Sequence, residues 1–406
     1  MTTTQFKVVN YLTKSFIIVE GKKNADNFYI IRSGNVKVIK ENPTIADDTA
    51  SLLGPGDFFG VISCMSNRAR IETAVAVSNV SLISVEREQF GMLIQKNPVI
   101  AMKIIRFFSR KLRSFNQAVT RLTLQEAAEE NPEHIFAIGE YYYKKKALRH
   151  AIYAYQKYLE HCPKGHNVEN AISSLKTMKA PLKAPVQESL DLRKVYPDNT
   201  MIFCENEPGG EVYIIQSGKV KITKISGDEE MLLAVLKQGD IFGEMSLLDN
   251  KPRNASAISF GDVNLMAITK ANFEEMVHMK PQLAIKIISI LSERIWTAYR
   301  QLENLTIKDP MARIYDTLLL QLEKQKIPIH QHQPHNFEFG TNELLQLVGV
   351  PHEKGGPYIN QLLEDKFFTL ESGKLVCKNL EELEKSVQYF KKKAMMDKKR
   401  EESKVF

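Results

Sequence analysis

Gly243, Glu244 and Arg253 lie close together in the sequence and combine the chemistry needed to hold an anion. A glycine lets the backbone approach a bound group without a Cβ clash. The helical turn expected after Gly243 offers free N–H groups to a negative charge. The Arg253 guanidinium adds charge-assisted hydrogen bonds to anionic oxygens. A structural Glu–Arg pair within a loop is the alternative interpretation of the same residues.

These residues belong to one copy of an internal repeat. Residues 27–38 match residues 211–222 at an offset of 184, and residues 56–60 match residues 239–243 at an offset of 183. A repeat that keeps its register over such a length predicts two domains of the same fold.

The two copies, roughly residues 6–122 and 191–305, contain short runs of β-branched and aromatic residues separated by Gly, Asn and Asp. Closely spaced short strands with turn signals predict an antiparallel barrel or jelly roll. The Ser-Gly pairs at 33–34 and 217–218 predict hairpin turns. Because an apolar helical pattern follows the barrel of each copy, the predicted fold class is α+β, with two jelly-roll barrels and long helices.

The run from Phe242 to Ala257, Phe-Gly-Glu-Met-Ser-Leu-Leu-Asp-Asn-Lys-Pro-Arg-Asn-Ala-Ser-Ala, is called the cassette below. With the repeated strand pattern, it resembles the cyclic-nucleotide-binding domain of the Crp/Fnr (catabolite activator) family and of protein-kinase regulatory subunits. The resemblance extends over nearly all of both copies. It implies a cyclic mononucleotide ligand, with cAMP favoured over cGMP.

The resemblance also implies a role for individual side chains. Glu244 would accept a hydrogen bond from the ribose 2′-hydroxyl, and Arg253 would donate to a phosphate oxygen. The base would reach Thr297 and Tyr299 on the long helix that ends the second copy. The implied ligand-binding residues are Phe242, Gly243, Glu244, Met245, Ser246, Arg253, Asn254, Ala255, Ser256, Thr297 and Tyr299.

The first copy departs from this pattern. Gap-free alignment places Val61 opposite Glu244, which removes the ribose acceptor. It also places Glu72 opposite Ala255, which puts an acid where an anion would lie and lowers affinity. Arg70 is retained. We therefore expect this copy not to bind a cyclic mononucleotide in the family manner. Two interpretations stay open, a structural or dimerising domain and a site for another ligand such as a cyclic dinucleotide.

Residues 132–178 show helical patterns whose spacing resembles one tetratricopeptide repeat. A single repeat of that kind cannot bury its faces alone, so we expect it to pack on its neighbours. It is also the candidate surface for a protein partner. Residues 179–189, which contain two prolines, predict a linker.

Residues 309–385 resemble the winged helix-turn-helix that follows the sensor domain in the Crp/Fnr family. The usual arginines of the recognition helix are absent, and residues 310–390 carry a net charge of −3. Because of Gly355, Gly356 and Pro357, we expect a short recognition helix that begins near Pro357. The candidate DNA-contacting residues are His352, Lys354, Tyr358 and Asn360.

The composition limits the alternatives. The 406 residues contain no long apolar run, so no membrane span is predicted. Four widely spaced cysteines indicate neither a disulfide framework nor a zinc site, and they fit a reducing cytoplasm. No constellation of residues suggests catalysis, and no metal site is predicted. A homodimer through the long helices is favoured over a monomer.

Five segments are predicted: a degenerate cyclic-nucleotide-binding-like domain over 1–122, a helical tetratricopeptide-like connector and linker over 123–190, a cyclic-nucleotide-binding domain over 191–305, a winged helix-turn-helix domain over 306–390 and a basic tail over 391–406. The predicted function is a nucleotide-sensing transcription regulator. The alternative is a signalling scaffold or regulatory subunit that acts on a protein partner without binding DNA.

Overall fold

The structure is a computed structural model, and it describes residues 6–40, 50–124, 131, 133–182, 192–226, 229–330, 332–350 and 352–402. The chain divides into two compact units. The first comprises residues 1–39, 50–114 and 126–295, and the second comprises residues 40–49, 115–125 and 296–406. Buried apolar clusters of its own stabilise each unit.

In the first unit, the first repeat forms two four-stranded antiparallel sheets with strand orders β1-β8-β3-β6 and β2-β7-β4-β5. The strands are β1 (Lys7–Tyr11), β2 (Phe16–Ile18), β3 (Asn27–Ser33), β4 (Val36–Ile39), β5 (Ala50–Leu53), β6 (Phe58–Phe59), β7 (Thr73–Ala76) and β8 (Val80–Glu86). This is a double-sheet jelly roll. The predicted barrel is therefore corrected to a sandwich, because the sheets stay open in the described part of the chain.

The second repeat follows the same chain path with fewer, longer strands, which form one six-stranded sheet. Four of these strands lie side by side in the order β10-β14-β11-β12. The strands are β9 (Arg193–Tyr196), β10 (Met201–Phe203), β11 (Glu211–Ser226), β12 (Glu229–Lys237), β13 (Ile241–Phe242) and β14 (Ser256–Thr269). Strands β11 and β14 pair with each other along most of their length. Each takes the place of two strands of the first repeat.

The Ser-Gly pairs do not form the predicted hairpin turns. Gly218 lies inside β11, where the pairing with β14 shifts register, and its φ is 87°. A Cβ there would lie 2.3 Å from the carbonyl oxygen of Asp262. A Cβ at Gly34 would likewise lie 2.3 Å from the carbonyl oxygen of Asn79. Glycine is therefore needed because it lets one strand bend closely past another.

Helices accompany each sandwich and form the connector between them. The first repeat has α1 (Val61–Ser66), α2 (Phe90–Lys96) and α3 (Pro98–Leu124), the connector has α4 (His134–Lys144), α5 (Leu148–His161) and α6 (Val168–Thr177), and the second repeat has α7 (Glu244–Asp249), α8 (Lys270–Met279) and α9 (Pro281–Leu305).

The connector packs on the second sandwich. Its Ile138 and Tyr155 share one buried cluster with Met201 and Ile258 of that sandwich. The side chains of both strand residues are less than 5% exposed. The expected packing of the connector on a neighbour is therefore present, and the tetratricopeptide assignment itself stays a prediction.

In the second unit, α10 (Pro310–Gln325) leads into three helices and a three-stranded sheet of order β15-β17-β16. The remaining elements are β15 (His335–Asn336), α11 (Thr341–Leu347), α12 (His352–Glu364), β16 (Phe368–Glu371), β17 (Lys374–Cys377) and α13 (Leu380–Glu402). Across the described residues, no helix combines the length and the apolar character that crossing a bilayer requires.

The structure corrects the predicted start of α12. The helix begins at His352, and Pro357 lies inside it. The proline ring removes one backbone hydrogen bond, to the Glu353 carbonyl. A Cβ at Gly355 would lie 2.2 Å from Leu345 Cδ1 of α11. Close packing of α12 on α11 therefore outweighs the low helix propensity of glycine and proline.

A buried polar network joins α9 to α10 in the second unit. Arg300 donates to Asp316 at 3.2 Å, and Asn304 donates to Asp316 at 3.1 Å. Asn304 also accepts a hydrogen bond from the Thr317 hydroxyl at 3.1 Å. Residues 304–309, which join the end of α9 to α10, are called the hinge below. Because Asn304 is the first of them, this network holds the start of the hinge in place.

Replacing Gly139 by alanine should destabilise the connector. The added Cβ would lie 2.7 Å from the Tyr155 ring, whose side chain is fully buried. Overpacking of this kind costs about 1–3 kcal/mol, which exceeds the gain of about 1 kcal/mol from placing alanine in a helix. Urea unfolding followed by circular dichroism measures the change. Gly356→Ala is the matched control, because nothing lies within 4 Å of that Cβ. A Gly139→Ala variant as stable as the parent would contradict the packing.

Replacing Asp316 by asparagine should reduce stability at pH 7 but not in strong acid. Burial favours the neutral acid, yet Arg300, Lys391 and the hydrogen bond from Asn304 outweigh burial and lower the pKa of Asp316. A carboxylate with a lowered pKa stabilises the fold above its unfolded pKa of about 3.9, and this stabilisation is lost as the pH falls through the folded value. We expect Asp316→Asn to lose about 1–3 kcal/mol at pH 7.

Urea titrations of parent and Asp316→Asn at several pH values between 7 and 2 test this expectation. The difference in unfolding free energy should shrink as the pH falls. A difference that stays constant over that range would show that the charge of Asp316 does not stabilise the second unit.

Candidate functional site

The cassette begins where β13 ends. Gly243 has a φ of 79° and precedes the first residue of α7, Glu244. This left-handed backbone conformation is one that glycine adopts without strain. It directs the chain from the strand into the short helix, so that the first turn of α7 and Arg253 lie together.

Arg253 is only 4% exposed and is held at the start of α7. Its Nη1 donates to the Gly243 carbonyl oxygen and to Ser246 Oγ, both at 2.8 Å. Its Nη2 donates to the Glu211 carbonyl oxygen at 2.9 Å. The guanidinium also lies over the Phe203 ring, 4.1 Å from the ring centroid. All three acceptors are uncharged oxygens, and the carboxylates of Glu207 and Glu211 interact with the guanidinium through their charge.

One donor of Arg253 is left over. Within the described part of the chain, its buried Nε has no hydrogen-bond partner. Buried donors without a partner are rare in folded proteins. An acidic oxygen that approached Arg253 would satisfy this donor and meet a positive charge.

Glu244 is almost fully buried, with a side chain 1% exposed. Its Oε1 accepts a hydrogen bond from Arg294 Nη1 of α9 at 2.9 Å. The same Arg294 nitrogen donates to the Ile241 carbonyl oxygen at 3.3 Å. The predicted ribose acceptor is therefore already engaged by the long helix.

The other predicted cassette residues take different places. Phe242 stacks on Tyr213, with ring centroids 5.2 Å apart. Ser256 is fully buried, and its hydroxyl accepts a hydrogen bond from the Glu205 amide at 2.9 Å. Asn254 and Ala255 are also buried, and Met245 is half-buried. Side-chain hydrogen bonds join Gly243, Ser246 and Arg253 to one another within the cassette.

Arg294, Glu211 and Phe203 also contact cassette residues and were not among the predicted site residues. Arg294 lies 50 residues from Glu244, and Glu211 lies 42 residues from Arg253. A motif read along the cassette contains none of these residues. Glu211 opens the segment that matches the first repeat, and this was the one available signal for it.

The first repeat repeats this geometry with one added carboxylate. Arg70 donates to the Gly60 carbonyl oxygen at 3.2 Å and to the Asn27 carbonyl oxygen at 2.8 Å. Glu72 Oε1 accepts a hydrogen bond from the Gly60 amide at 2.8 Å, and Glu72 is 8% exposed. The chain's own acid therefore occupies the backbone donor at the start of α1, whereas the second repeat has Ala255 at the aligned position.

The two predicted base-contacting residues belong to the second unit, whereas the cassette belongs to the first. Tyr299 is 2% exposed and packs on Phe115, with ring centroids 6.0 Å apart. Thr297 is half-buried. Their contact with a base stays a prediction.

The four candidate DNA-contacting residues all lie on α12. Lys354 and Asn360 are exposed, and Tyr358 is half-buried. His352 is the first residue of the helix. Ile359 faces the core of the second unit, so α12 has one packed side and one exposed side.

Comparisons with known proteins show what the two repeats are similar to. The family model described as cyclic nucleotide-binding domain matches residues 8–97 and 193–279. The cyclic AMP receptor protein of Thermus thermophilus is 30% identical over 195 residues, which are 48% of this chain and 87% of that protein. The CRP-like cAMP-activated global transcriptional regulator of Mycobacterium tuberculosis is 28% identical over 171 residues, 42% of this chain and 75% of that protein.

Similarity also reaches another class of regulator. A cAMP-dependent protein kinase regulatory subunit of Aspergillus fumigatus is 24% identical over 271 residues, 65% of this chain and 51% of that protein. The crystal structure of the Thermus thermophilus catabolite activator protein is 28% identical, covers 49% of this chain and 90% of that chain, and superposes with a TM-score of 0.28. The Thermus receptor protein is matched over most of its own length, and two stretches of this chain fit the cyclic nucleotide-binding domain. This chain belongs to the Crp/Fnr family of regulators with cyclic nucleotide-binding domains.

Proposed function

We propose that this chain is a cyclic-nucleotide sensor whose second repeat binds a cyclic mononucleotide, with cAMP preferred over cGMP. The observation that carries the proposal is the state of Arg253. It is buried beside the start of α7, it donates to uncharged oxygens, and its Nε lacks a partner among the described atoms. A phosphate monoanion supplies both the charge and the acceptor oxygens that this guanidinium accommodates.

The ribose would be recognised by Glu244. Its carboxylate accepts a hydrogen bond from Arg294, and a carboxylate has room for further donors. A 2′-hydroxyl that donates to Glu244 would therefore alter the interaction between Glu244 and Arg294 of α9. In this way ligand binding in the cassette would bias the position of the long helix.

The first repeat would not take the same ligand. Val61 cannot accept the ribose hydroxyl, and Glu72 already occupies the Gly60 amide. A phosphate that entered would have to displace a buried carboxylate of like charge. One cyclic mononucleotide per chain is therefore the expected stoichiometry, at the second repeat.

The output would be transcription regulation through residues 306–390. In the proposal these residues form a winged helix-turn-helix in which α11 supports α12, and Lys354 and Asn360 on the exposed side of α12 approach DNA. The cassette signal would pass along α9 to the hinge at Asn304. A ligand shifts such an equilibrium only by binding one state more tightly than the other.

A protein partner is the second candidate for the output. It is favoured by the net charge of −3 over residues 310–390, because contacts with phosphates dominate DNA affinity. The relative that is a kinase regulatory subunit adds weight to this alternative.

Replacing Arg253 by alanine should weaken the binding of cAMP roughly 10- to 100-fold, because hydrogen bonds to charged groups contribute about 1.5–3 kcal/mol. Glu244→Ala should weaken the binding of cAMP and largely spare that of 2′-deoxy-cAMP. Isothermal titration calorimetry measures both, with circular dichroism to verify folding.

Arg70→Ala is the matched control, since it removes the same guanidinium from the first repeat. It should leave both the affinity and the stoichiometry of one unchanged. If Arg253→Ala binds cAMP like the parent, or if Arg70→Ala abolishes binding, the assignment of the site to the second repeat is wrong.

Gel-shift assays test the output. At about 50 mM salt, the parent with saturating cAMP should retard a pool of duplex DNA, and the affinity should fall as salt rises. Lys354→Ala should weaken retardation at all sequences. A protein that binds cAMP but retards no DNA, with or without ligand, would exclude the transcription regulator and leave the protein-partner alternative.

A further inference from the structure

Residues 204–207 form a bracket that runs along the cassette. The Asn206 amide donates to the Arg253 carbonyl oxygen at 2.9 Å, and the Arg253 amide donates to the Glu207 carbonyl oxygen at 2.8 Å. The Glu205 amide donates to the Ser256 hydroxyl at 2.9 Å. The backbone of Arg253 is therefore paired on both sides with this bracket.

The connector holds the bracket from the other side. Tyr153 Oη of α5 lies 3.0 Å and 3.3 Å from the two carboxylate oxygens of Glu207, and 3.2 Å from the Ile202 carbonyl oxygen. Asn206 Nδ2 donates to the Asn131 carbonyl oxygen at 3.3 Å. Two residues of the bracket thus contact both the connector and Arg253.

The buried carboxyl group of Glu207 depends on these contacts for a hydrogen-bond donor. Glu207 is 9% exposed, and burial raises the pKa of its carboxyl group. The Cys204 amide donates to Glu207 Oε2 at 3.0 Å, and Lys157 of α5 opposes the effect of burial by its charge. A buried acid that is left short of a donor is costly, so Tyr153 restrains the position of Glu207.

The first repeat has the same bracket without the connector. The Gly21 amide donates to the Arg70 carbonyl oxygen at 2.8 Å, and the Arg70 amide donates to the Lys22 carbonyl oxygen at 2.8 Å. The Glu20 amide donates to the Thr73 hydroxyl at 3.0 Å. Lys22, which takes the place of Glu207, is exposed. The backbone pairing is therefore common to both repeats, and the clamp by the connector belongs to the repeat with the candidate ligand site.

We propose that the connector regulates the cyclic-nucleotide site of the second repeat, and that Tyr153 is a positioning residue that acts on Arg253 through Glu207. The proposal rests on the function proposed above. When a ligand oxygen draws the guanidinium away from its present acceptors, the Arg253 backbone and the bracket move with it. Linkage then requires that binding at the connector change the affinity for the nucleotide by the same factor by which the nucleotide changes the affinity of the connector for its own partner.

The test compares Tyr153→Phe with Tyr158→Phe in the full chain. Both changes remove one tyrosine-to-glutamate hydrogen bond from α5. The partner of Tyr158 is Glu133, at 2.6 Å, which precedes α4 and does not belong to the bracket. Tyr153→Phe should weaken cAMP binding roughly 5-fold or more, the usual size of such coupling. Tyr158→Phe should stay within about 2-fold of the parent.

Hydrogen–deuterium exchange distinguishes positioning from general stability. Saturating cAMP should slow amide exchange in α4 and α5 of the parent and of Tyr158→Phe, but not in Tyr153→Phe. Should Tyr153→Phe fail to fold, Glu207→Ala against Glu207→Gln gives the same comparison, because glutamine keeps an acceptor for Tyr153. The glutamine variant should retain most of the affinity that the alanine variant loses.

Equal affinities and equal protection of the connector in Tyr153→Phe and Tyr158→Phe would overturn the inference while the proposed function stands. A parent that binds cAMP with no change of exchange in α4 and α5 would overturn it as well. A parent that binds no cyclic nucleotide would overturn both.

Discussion

Burying a guanidinium removes it from water, and this is costly unless its N–H groups find acceptors. Arg253 meets this constraint with backbone oxygens, a serine hydroxyl and the face of Phe203. Strand, cassette and bracket each supply one part of its surroundings. The strands of the second repeat hold those parts in place, since β10, β11 and β13 contain or directly precede Phe203, Glu211 and Gly243, which Arg253 contacts.

The duplication shows which parts of this arrangement are structural and which are chemical. Both repeats keep the left-handed glycine, the short helix and the buried arginine. The two repeats differ in the position of their buried acidic side chain. Glu72 lies inside the first site, whereas Glu244 sits at the start of α7 and is bound by Arg294. The same fold therefore holds its own carboxylate in the first repeat, and under the proposed function a few different side chains would let the second repeat hold an outside anion.

Local pattern predicted the repeat, the strand-rich copies, the cassette and the acid at Glu72, because each depends on residues close in sequence. Local pattern did not predict the features that depend on contacts between residues far apart in the sequence. The helix α12 starts before Pro357 because Leu345 packs against Gly355. The Ser-Gly pairs bend strands because another strand passes at Asp262. Arg294 contacts the cassette and Tyr153 contacts the bracket from other helices, and no spacing within the cassette could indicate them.

Glu72 also decides how the stability of each half depends on its surroundings. A site that binds a free ligand gains stability by mass action, as the logarithm of ligand concentration over its dissociation constant. A site filled by a covalently attached carboxylate has no such term, and its occupancy is set when the chain is made. Under the proposed function, the first repeat would have a constant stability, whereas the stability of the second repeat would rise with the concentration of the nucleotide. In such a chain, the constant stability of the first repeat would be a reference for the ligand-dependent stability of the second repeat.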